Sequence, residues 1–129
     1  MIVDSSALVA ILLLEPERSK FEERIHDAPS CRISAANFVE LSMVLEREFG
    51  SGAGPICEAF FRLAQIVVEP VTVEQAHLAI QAFRDYGKGR HPAGLNFGDC
   101  FAYALAKSTG EPLLFKGSDF AKTDVRSAV

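Results

Sequence analysis

Short apolar runs alternate with amphipathic helical segments along the whole chain, and this alternation limits the possible folds more than any other feature. The apolar runs indicate buried strands over residues 1–4, 31–34, 66–68 and 112–115, and a last short strand within 125–129. The helical spacing of apolar residues between them predicts helices over about 5–14, 17–27, 35–49, 56–65, 73–86 and 97–108. Strands that alternate with helices form a parallel sheet with helices on both faces. The predicted fold class is therefore α/β, with one domain over residues 1–129.

Polar residues and glycines mark the predicted ends of the helices. Ser5 or Ser6 is expected to cap the first helix, and Asn96 is expected to cap the last long one. Residues 50–55 read Gly-Ser-Gly-Ala-Gly-Pro and predict a flexible turn inside the domain.

Composition and charge bear on whether the chain folds and on how it could bind nucleic acid. The chain is 49% hydrophobic and 23% charged, so all of it is expected to fold. Its net charge of −4 argues against binding polyanions through a global basic field. Nucleic acid stays open as a ligand, because metal ions and a local basic loop can offset the charge near a phosphate backbone.

Cysteine usage and the absence of a long apolar run indicate a cytoplasmic protein. Cys31, Cys57 and Cys100 are too widely spaced for a zinc site and are expected to be reduced core residues. The longest apolar run, Ala7–Leu14, is too short to span a bilayer. No positively charged leader precedes it, so no signal peptide and no membrane contact are expected.

Acidic residues recur beside apolar segments and at the ends of predicted strands and helices. Asp4 closes the first strand, Glu40 lies in an apolar helical stretch, Asp99 begins a helix, and Asp119 follows a late strand. Ligands of open α/β sheets bind at the carboxyl ends of the strands, where these acids could meet. Hard cations such as Mg²⁺ prefer oxygen ligands, so a divalent-metal site is predicted.

Each acid also has an ordinary structural interpretation. Asp4 and Asp119 could cap helices, Glu40 could be solvated, and Asp99 could complement a helix dipole. Asp124 is a rival to Asp119 for the same role. Their joint placement favours the metal site.

A basic, glycine-rich loop covers residues 87–94 and contains Lys88, Arg90 and His91. Basic side chains and glycine amides suit a phosphate backbone, so Lys88 and Arg90 are candidates for contact with RNA. An ordinary solvated loop is the alternative.

With these acids in place, the chain resembles the PIN-domain ribonucleases over its full length, and within them the VapC toxins of prokaryotic toxin–antitoxin pairs. Residues 1–8 resemble the opening strand and first acid of the family, and residues 34–40 the segment of the second acid. Residues 95–106 resemble the third-acid helix closely, and residues 113–120 the strand and turn of the fourth. One departure is Gly117, which stands where many members have an acid.

The resemblance implies a single PIN-like domain that hydrolyses RNA phosphodiester bonds and leaves a 5′-phosphate and a 3′-hydroxyl. It implies one or two Mg²⁺ or Mn²⁺ ions, held by Asp4, Glu40 and Asp99 with help from Asp119. It also implies an RNA substrate such as transfer RNA, a homodimer, and a VapB-like antitoxin that blocks the site. Apolar helix faces in the first half of the chain are the expected dock for the antitoxin tail.

Two other functions compete with this hypothesis. A phosphoacceptor signalling domain also combines an α/β fold with clustered acids and Mg²⁺, but it needs an acceptor Asp after its third strand. Residues 50–68 contain Glu58 and no Asp, which counts against it. The second competitor is a catalytically silent binding module whose acids only cap helices.

Overall fold

Four short strands form the centre of the protein: β1 (Ile2–Val3), β2 (Cys31–Ser34), β3 (Ile66–Glu69) and β4 (Leu113–Leu114). The computed structural model describes all of residues 1–129. The strands lie in the order β3-β2-β1-β4, and every pair is parallel. The predicted parallel sheet is therefore confirmed, and the carboxyl ends of all four strands lie at one edge.

Six α-helices connect the strands. They are α1 (Ser5–Leu12), α2 (Arg18–Asp27), α3 (Ala35–Phe49), α4 (Ala53–Ala64), α5 (Val73–Tyr86) and α6 (Phe97–Thr109). Two short 3₁₀ turns cover Gly50–Gly52 and Phe120–Lys122. None of these helices has the length and apolar character needed to cross a membrane.

Strands β1 and β4 are buried on both faces, as the alternation of elements predicts, whereas Val67 and Val68 of the edge strand β3 are exposed. Successive residues of a strand point to opposite faces, and Val3 and Ile2 accordingly belong to two separate hydrophobic clusters. Val3 packs with Leu8 of α1 and the helices of the first half, while Ile2 packs with Leu105 of α6. Such two-sided burial is the usual state of a parallel sheet. The three cysteines are buried and free, as expected.

The start of α1 corrects one prediction. Asp4 itself is the cap, because its side chain accepts a hydrogen bond from the Ser6 N–H at 3.0 Å, so the assignment of the cap to Ser5 or Ser6 is wrong. The helix also ends at Leu12, earlier than predicted, and Leu14 has a φ of 59° in the left-handed region. The acid that closes the first strand is thus fixed by the helix that follows it.

Two further predictions, for residues 50–55 and for a last strand within 125–129, are wrong. The segment 50–55 is not a flexible turn, since it folds into a 3₁₀ turn and the beginning of α4. Gly54 and Pro55 fit there because the first N–H groups of a helix have no partner within the helix. The last strand predicted within 125–129 is only a single bridge between Ser127 and Leu113.

Candidate active site

Asp4 lies where β1 meets α1, and its carboxylate is almost completely buried, with 2% of the residue exposed. One oxygen, Oδ2, accepts from Ser6, whereas Oδ1 is buried and has no hydrogen-bond partner. Burial raises the pKa of Asp4 to about 7, although the hydrogen bonds from Ser6 oppose the rise. The negative charges of Asp99 and Glu40 add to it. An ionised Asp4 therefore lacks a positive partner within the chain.

Glu40 is half-buried on α3 and is held by two donors. The Ser5 hydroxyl donates to Oε1, and the Asn37 Nδ2–H group donates to the same oxygen at 3.4 Å. The apolar neighbours of Glu40 in the sequence correspond to a carboxylate that points at α6 rather than into solvent.

Gly98 makes room for this carboxylate. A Cβ atom at position 98 would overlap the Glu40 carboxyl group and lie 2.7 Å from its Cδ. Because α3 and α6 approach so closely here, any larger residue at 98 would displace Glu40. The glycine before Asp99 thus brings the second and third acids together.

Asp99 occupies the first turn of α6 and forms a complete capping box with Asn96. The Asp99 N–H donates to Asn96 Oδ1 at 2.9 Å, and the Asn96 N–H donates to Asp99 Oδ2 at 3.0 Å. Burial raises the pKa of Asp99, and the charges of Glu40 and Asp119 raise it further. Asp99 therefore takes part in the helix cap and also belongs to the acidic cluster.

Asp119, and not Asp124, extends the cluster. Asp119 is exposed, makes no capping hydrogen bond to the 3₁₀ turn after it, and lies near enough to raise the pKa of Asp99. Asp124 accepts hydrogen bonds from the Tyr103 hydroxyl at 2.7 Å and Lys107 Nζ at 2.9 Å. The hydrogen bonds from Lys107 and Tyr103 lower the pKa of Asp124, and the bond from Lys107 has the larger effect. They hold the Asp124 side chain beside the later turns of α6, away from Asp99.

Asn37 is a site residue that the sequence analysis did not single out. It is fully buried, and its Nδ2–H donates to the Gly98 carbonyl at 2.9 Å as well as to Glu40. Its Oδ1 is buried without a partner. The available signal was an amide three residues before Glu40, which places both on one face of the helix.

Lys88 and Arg90 form no ion pair with the acids. Both are exposed, and neither is among the charges that shift the pKa of Asp4 or Asp99. Their loop is closed by hydrogen bonds from Lys88 N–H to the Leu95 carbonyl and from His91 N–H to the Gly87 carbonyl, each 3.0 Å long. The loop is therefore an ordered turn beside α5, despite its glycines.

The donor set suits a hard divalent cation. No three acidic, histidine or cysteine side chains are gathered closely enough to ligate one ion directly. Mg²⁺ does not need such a cage, because it keeps several waters and is commonly bound by one or two carboxylates. The unpartnered, buried Oδ1 of Asp4 is the observation that fits such an ion.

The four acids lie on an α/β domain with a parallel sheet, and the comparisons specify its family. The family model described as PIN domain matches residues 1–126. The chain is 47% identical over 125 residues to a protein named Ribonuclease VapC from Mycolicibacterium smegmatis, covering 97% of both chains. It is 46% identical over 129 residues to Ribonuclease VapC42 of Mycobacterium tuberculosis, covering 99% of this chain and 98% of that one.

Solved structures share the fold. The crystal structure of Mycobacterium tuberculosis VapC20, titled a Sarcin-Ricin loop cleaving toxin, matches with a TM-score of 0.73 and 21% identity over 97% of this chain and 98% of that one. A toxin-antitoxin complex from Klebsiella pneumoniae matches with a TM-score of 0.71 and 15% identity, covering 95% and 92%. The chain belongs to the PIN domain family, and within it to the VapC ribonucleases.

Proposed function

We propose that the protein is a metal-dependent endoribonuclease toxin that hydrolyses RNA phosphodiester bonds and is held inactive by a cognate antitoxin. The observation that carries the metal dependence is the buried Asp4 carboxylate, whose Oδ1 has no partner and whose pKa burial raises to about 7. A buried charge is costly unless it is paired or binds a metal. The relatives' names support ribonuclease activity.

We assign the divalent ion, Mg²⁺ or Mn²⁺, to Asp4 and Asp99 first, with Glu40 and Asp119 acting directly or through water. Asp4 and Asp99 are the acids whose pKa burial and neighbouring charges raise, so they gain most from a cation. When bound, the ion lowers the pKa of a water ligand and offsets negative charge on the scissile phosphate.

The surrounding residues keep the acids in place. Ser5 and Asn37 hold Glu40 by hydrogen bonds, and the capping box with Asn96 fixes Asp99. Hydrolysis adds water to phosphorus and breaks the bond to the 3′ oxygen, which takes up a proton. The products are a 5′-phosphate and a 3′-hydroxyl, and transfer RNA and other structured RNAs are the substrates to test.

An antitoxin tail has an available apolar surface near this site. Val39 and Met43, one turn apart on α3, are 56% and 62% exposed, and both lie on the same side of Glu40 around the helix. We propose that a VapB-like antitoxin covers this face of α3 and thereby closes access to the acids. Dimer formation by two copies of the chain is part of the same proposal.

RNA cleavage by purified variants tests the function. We expect wild-type protein to cut structured RNA with Mg²⁺ or Mn²⁺ and to stop in EDTA, and Asp4→Asn and Asp99→Asn to be inactive. Asp124→Asn is the matched control, because Asp124 bonds to Tyr103 and Lys107 away from the cluster, and it should cut normally.

Equal cleavage with and without chelator would overturn the mechanism. Loss of activity in Asp124→Asn, with retention in Asp99→Asn, would move the site elsewhere. A phosphoacceptor domain would instead become labelled by a small phosphodonor and leave RNA intact, and a binding module whose acids only cap helices would do neither.

A further inference from the structure

Lys116 lies at the edge of the sheet where the acids are placed, and none of the functions assigned so far uses it. It comes two residues after Leu114 of β4, whose carbonyl accepts from the Asp4 N–H at 2.9 Å. Its own N–H donates to Ser6 Oγ at 3.0 Å, in the first turn after Asp4. It also precedes Asp119 by three positions. The main chain of Lys116 is therefore held between the segments that carry the first and the fourth acid.

The side chain of Lys116 is bound to two glutamates rather than to the acidic cluster. Its Nζ atom lies 2.7 Å from Glu15 Oε1 and 3.3 Å from Glu17 Oε2, and both glutamates belong to the connection between α1 and α2. The ammonium is not among the charges that shift the pKa of Asp4 or Asp99. The two glutamates thus hold a positive charge away from acids whose main chain lies beside its own.

These ion pairs are suited to exchange. The side chains of Lys116, Glu15 and Glu17 are 36%, 29% and 37% exposed, and ion pairs between partly exposed groups contribute little to stability. Glu15 makes a hydrogen bond to Nζ, whereas Oε2 of Glu17 has no hydrogen-bond partner despite its distance. A lysine ammonium is carried on a flexible four-carbon stem. It can therefore leave the glutamates without movement of the main chain.

The chemistry of the present partners matches a phosphate group. Two carboxylate oxygens around one ammonium resemble the two negatively charged oxygens that a phosphate of RNA presents. Lysine commonly binds phosphate as a point charge. A phosphate backbone that enters the site must also approach the carboxylates of Asp4 and Asp99, and a cation next to them offsets part of that repulsion.

We propose that Lys116 is a phosphate contact for the RNA substrate, held by Glu15 and Glu17 in the free protein and transferred to the RNA backbone on binding. The proposal rests on the proposed function, and it adds a residue that is neither an acid nor a metal ligand. Glu15 and Glu17 then compete with RNA for the same ammonium. Their removal should strengthen RNA binding only while Lys116 is present.

Two other interpretations of these ion pairs make different predictions. A purely structural link between the α1–α2 connection and the end of β4 predicts no gain in RNA affinity when either partner is removed. A general effect of charge predicts that the loss of two negative charges strengthens RNA binding whether or not Lys116 is there. The three interpretations therefore differ in the sign of the effects and in their dependence on one another.

A double-mutant cycle on RNA binding distinguishes them. Labelled single-stranded RNA of mixed sequence is titrated in EDTA, which blocks metal-dependent cleavage, and its fluorescence anisotropy gives Kd. We expect Lys116→Gln to weaken binding about fivefold and Glu15→Gln/Glu17→Gln to tighten it about threefold, within the range for partly exposed charge pairs. The triple variant should bind as weakly as Lys116→Gln, because the glutamates act through the lysine. Lys116→Arg should retain binding.

Lys107→Gln is the matched control. The Lys107 side chain is 38% exposed, close to the value for Lys116, and it is likewise paired with a carboxylate, that of Asp124. Its replacement should leave RNA affinity and its salt dependence unchanged. Lys116→Gln should instead reduce the slope of log Kd against log salt concentration by about 0.7, the value for one phosphate contact on a single strand.

Weaker or unchanged binding by Glu15→Gln/Glu17→Gln would overturn the proposal. So would an equal gain from the two glutamate changes in the wild-type and the Lys116→Gln backgrounds, or a Lys116→Gln variant that binds RNA as wild type does. Thermal melting shows whether Lys116→Gln folds, and Lys116→Met takes its place in the cycle if it does not.

The cleavage assay with Mg²⁺ separates this proposal from the function on which it rests. Wild-type protein that shows the predicted coupling in RNA binding but does not cut RNA would refute the nuclease function and support the phosphate contact. Wild-type protein that cuts RNA while the cycle shows no coupling would refute only the contact.

Discussion

Replacing Asp4 with asparagine should stabilise the metal-free protein at alkaline pH but not at acidic pH. Burial raises the pKa of Asp4 from 3.8 to about 7, so the folded state binds this proton more tightly than the unfolded chain does. The contribution to stability is complete below pH 3.8 and is lost as pH rises through about 7. Wild-type stability should therefore fall across that window.

The size of the effect follows from the shift. The difference between a pKa of 3.8 and one of about 7 corresponds to about 4 kcal/mol between the two protonation states. Asparagine keeps the cap, since its carbonyl can accept from the Ser6 N–H, but its buried amide offsets about 2 kcal/mol of the gain. A net gain of about 2 kcal/mol corresponds to about 8 °C in melting temperature for a chain of this length.

Thermal unfolding in EDTA, followed by circular dichroism at pH 4 and pH 8, measures this difference. Asp85→Asn is the control, because Asp85 is exposed and its bond from Gln81 can be made by either side chain. The explanation is refuted if Asp4→Asn gains nothing over wild type at pH 8, or if the gain is the same at both pH values. An Asp4→Asn variant less stable than wild type at pH 8 would mean that the carboxylate is only a helix cap.

Three further predictions concern the surroundings of the acids. Gly98→Ala should fold with stability within about 1 kcal/mol of wild type, because alanine favours the helix. It should lose most RNA cleavage, because its Cβ displaces the Glu40 carboxylate. Thermal melting checks the first expectation and a cleavage assay checks the second. Asn37→Ala should lower the free energy of unfolding by about 2 kcal/mol in a urea titration, because the buried Gly98 carbonyl loses its side-chain donor. The double variant Lys88→Ala/Arg90→Ala should bind RNA more weakly with a flatter salt dependence, and an unchanged salt slope would contradict a phosphate contact by this loop.

The fold could be predicted from sequence because its signals are local. Apolar runs and helical periodicity locate β2 and α3 to the residue, and Asn96 and Gly110 bound α6 closely. The errors are at the ends of helices and strands, where contacts with the rest of the fold decide the boundary. The glycine-rich segment 50–55 becomes helical because Gly54 and Pro55 occupy a first turn, where their weak propensity costs little.

The places of the four acids in the fold could be predicted from the sequence, whereas the contacts that support them could not. Asp4 and Asp99 follow recognisable strand and helix signals, whereas the roles of Asn37 and Gly98 depend on the approach of α3 to α6. That approach joins residues 61 positions apart, and local patterns carry no information about such a contact. Tertiary packing likewise decided between Asp119 and Asp124, because Tyr103 and Lys107 hold the latter away from the cluster.

Binding of Mn²⁺ to the protein without RNA tests the central claim most directly, since it does not require the right substrate. The electron paramagnetic resonance signal of free Mn²⁺ falls when the ion binds, so a titration at pH 8 reports affinity for each variant. We predict that wild type and Asp124→Asn bind Mn²⁺ alike and that Asp99→Asn binds it far more weakly. Equal binding by wild type and Asp99→Asn would contradict a metal site built on these carboxylates.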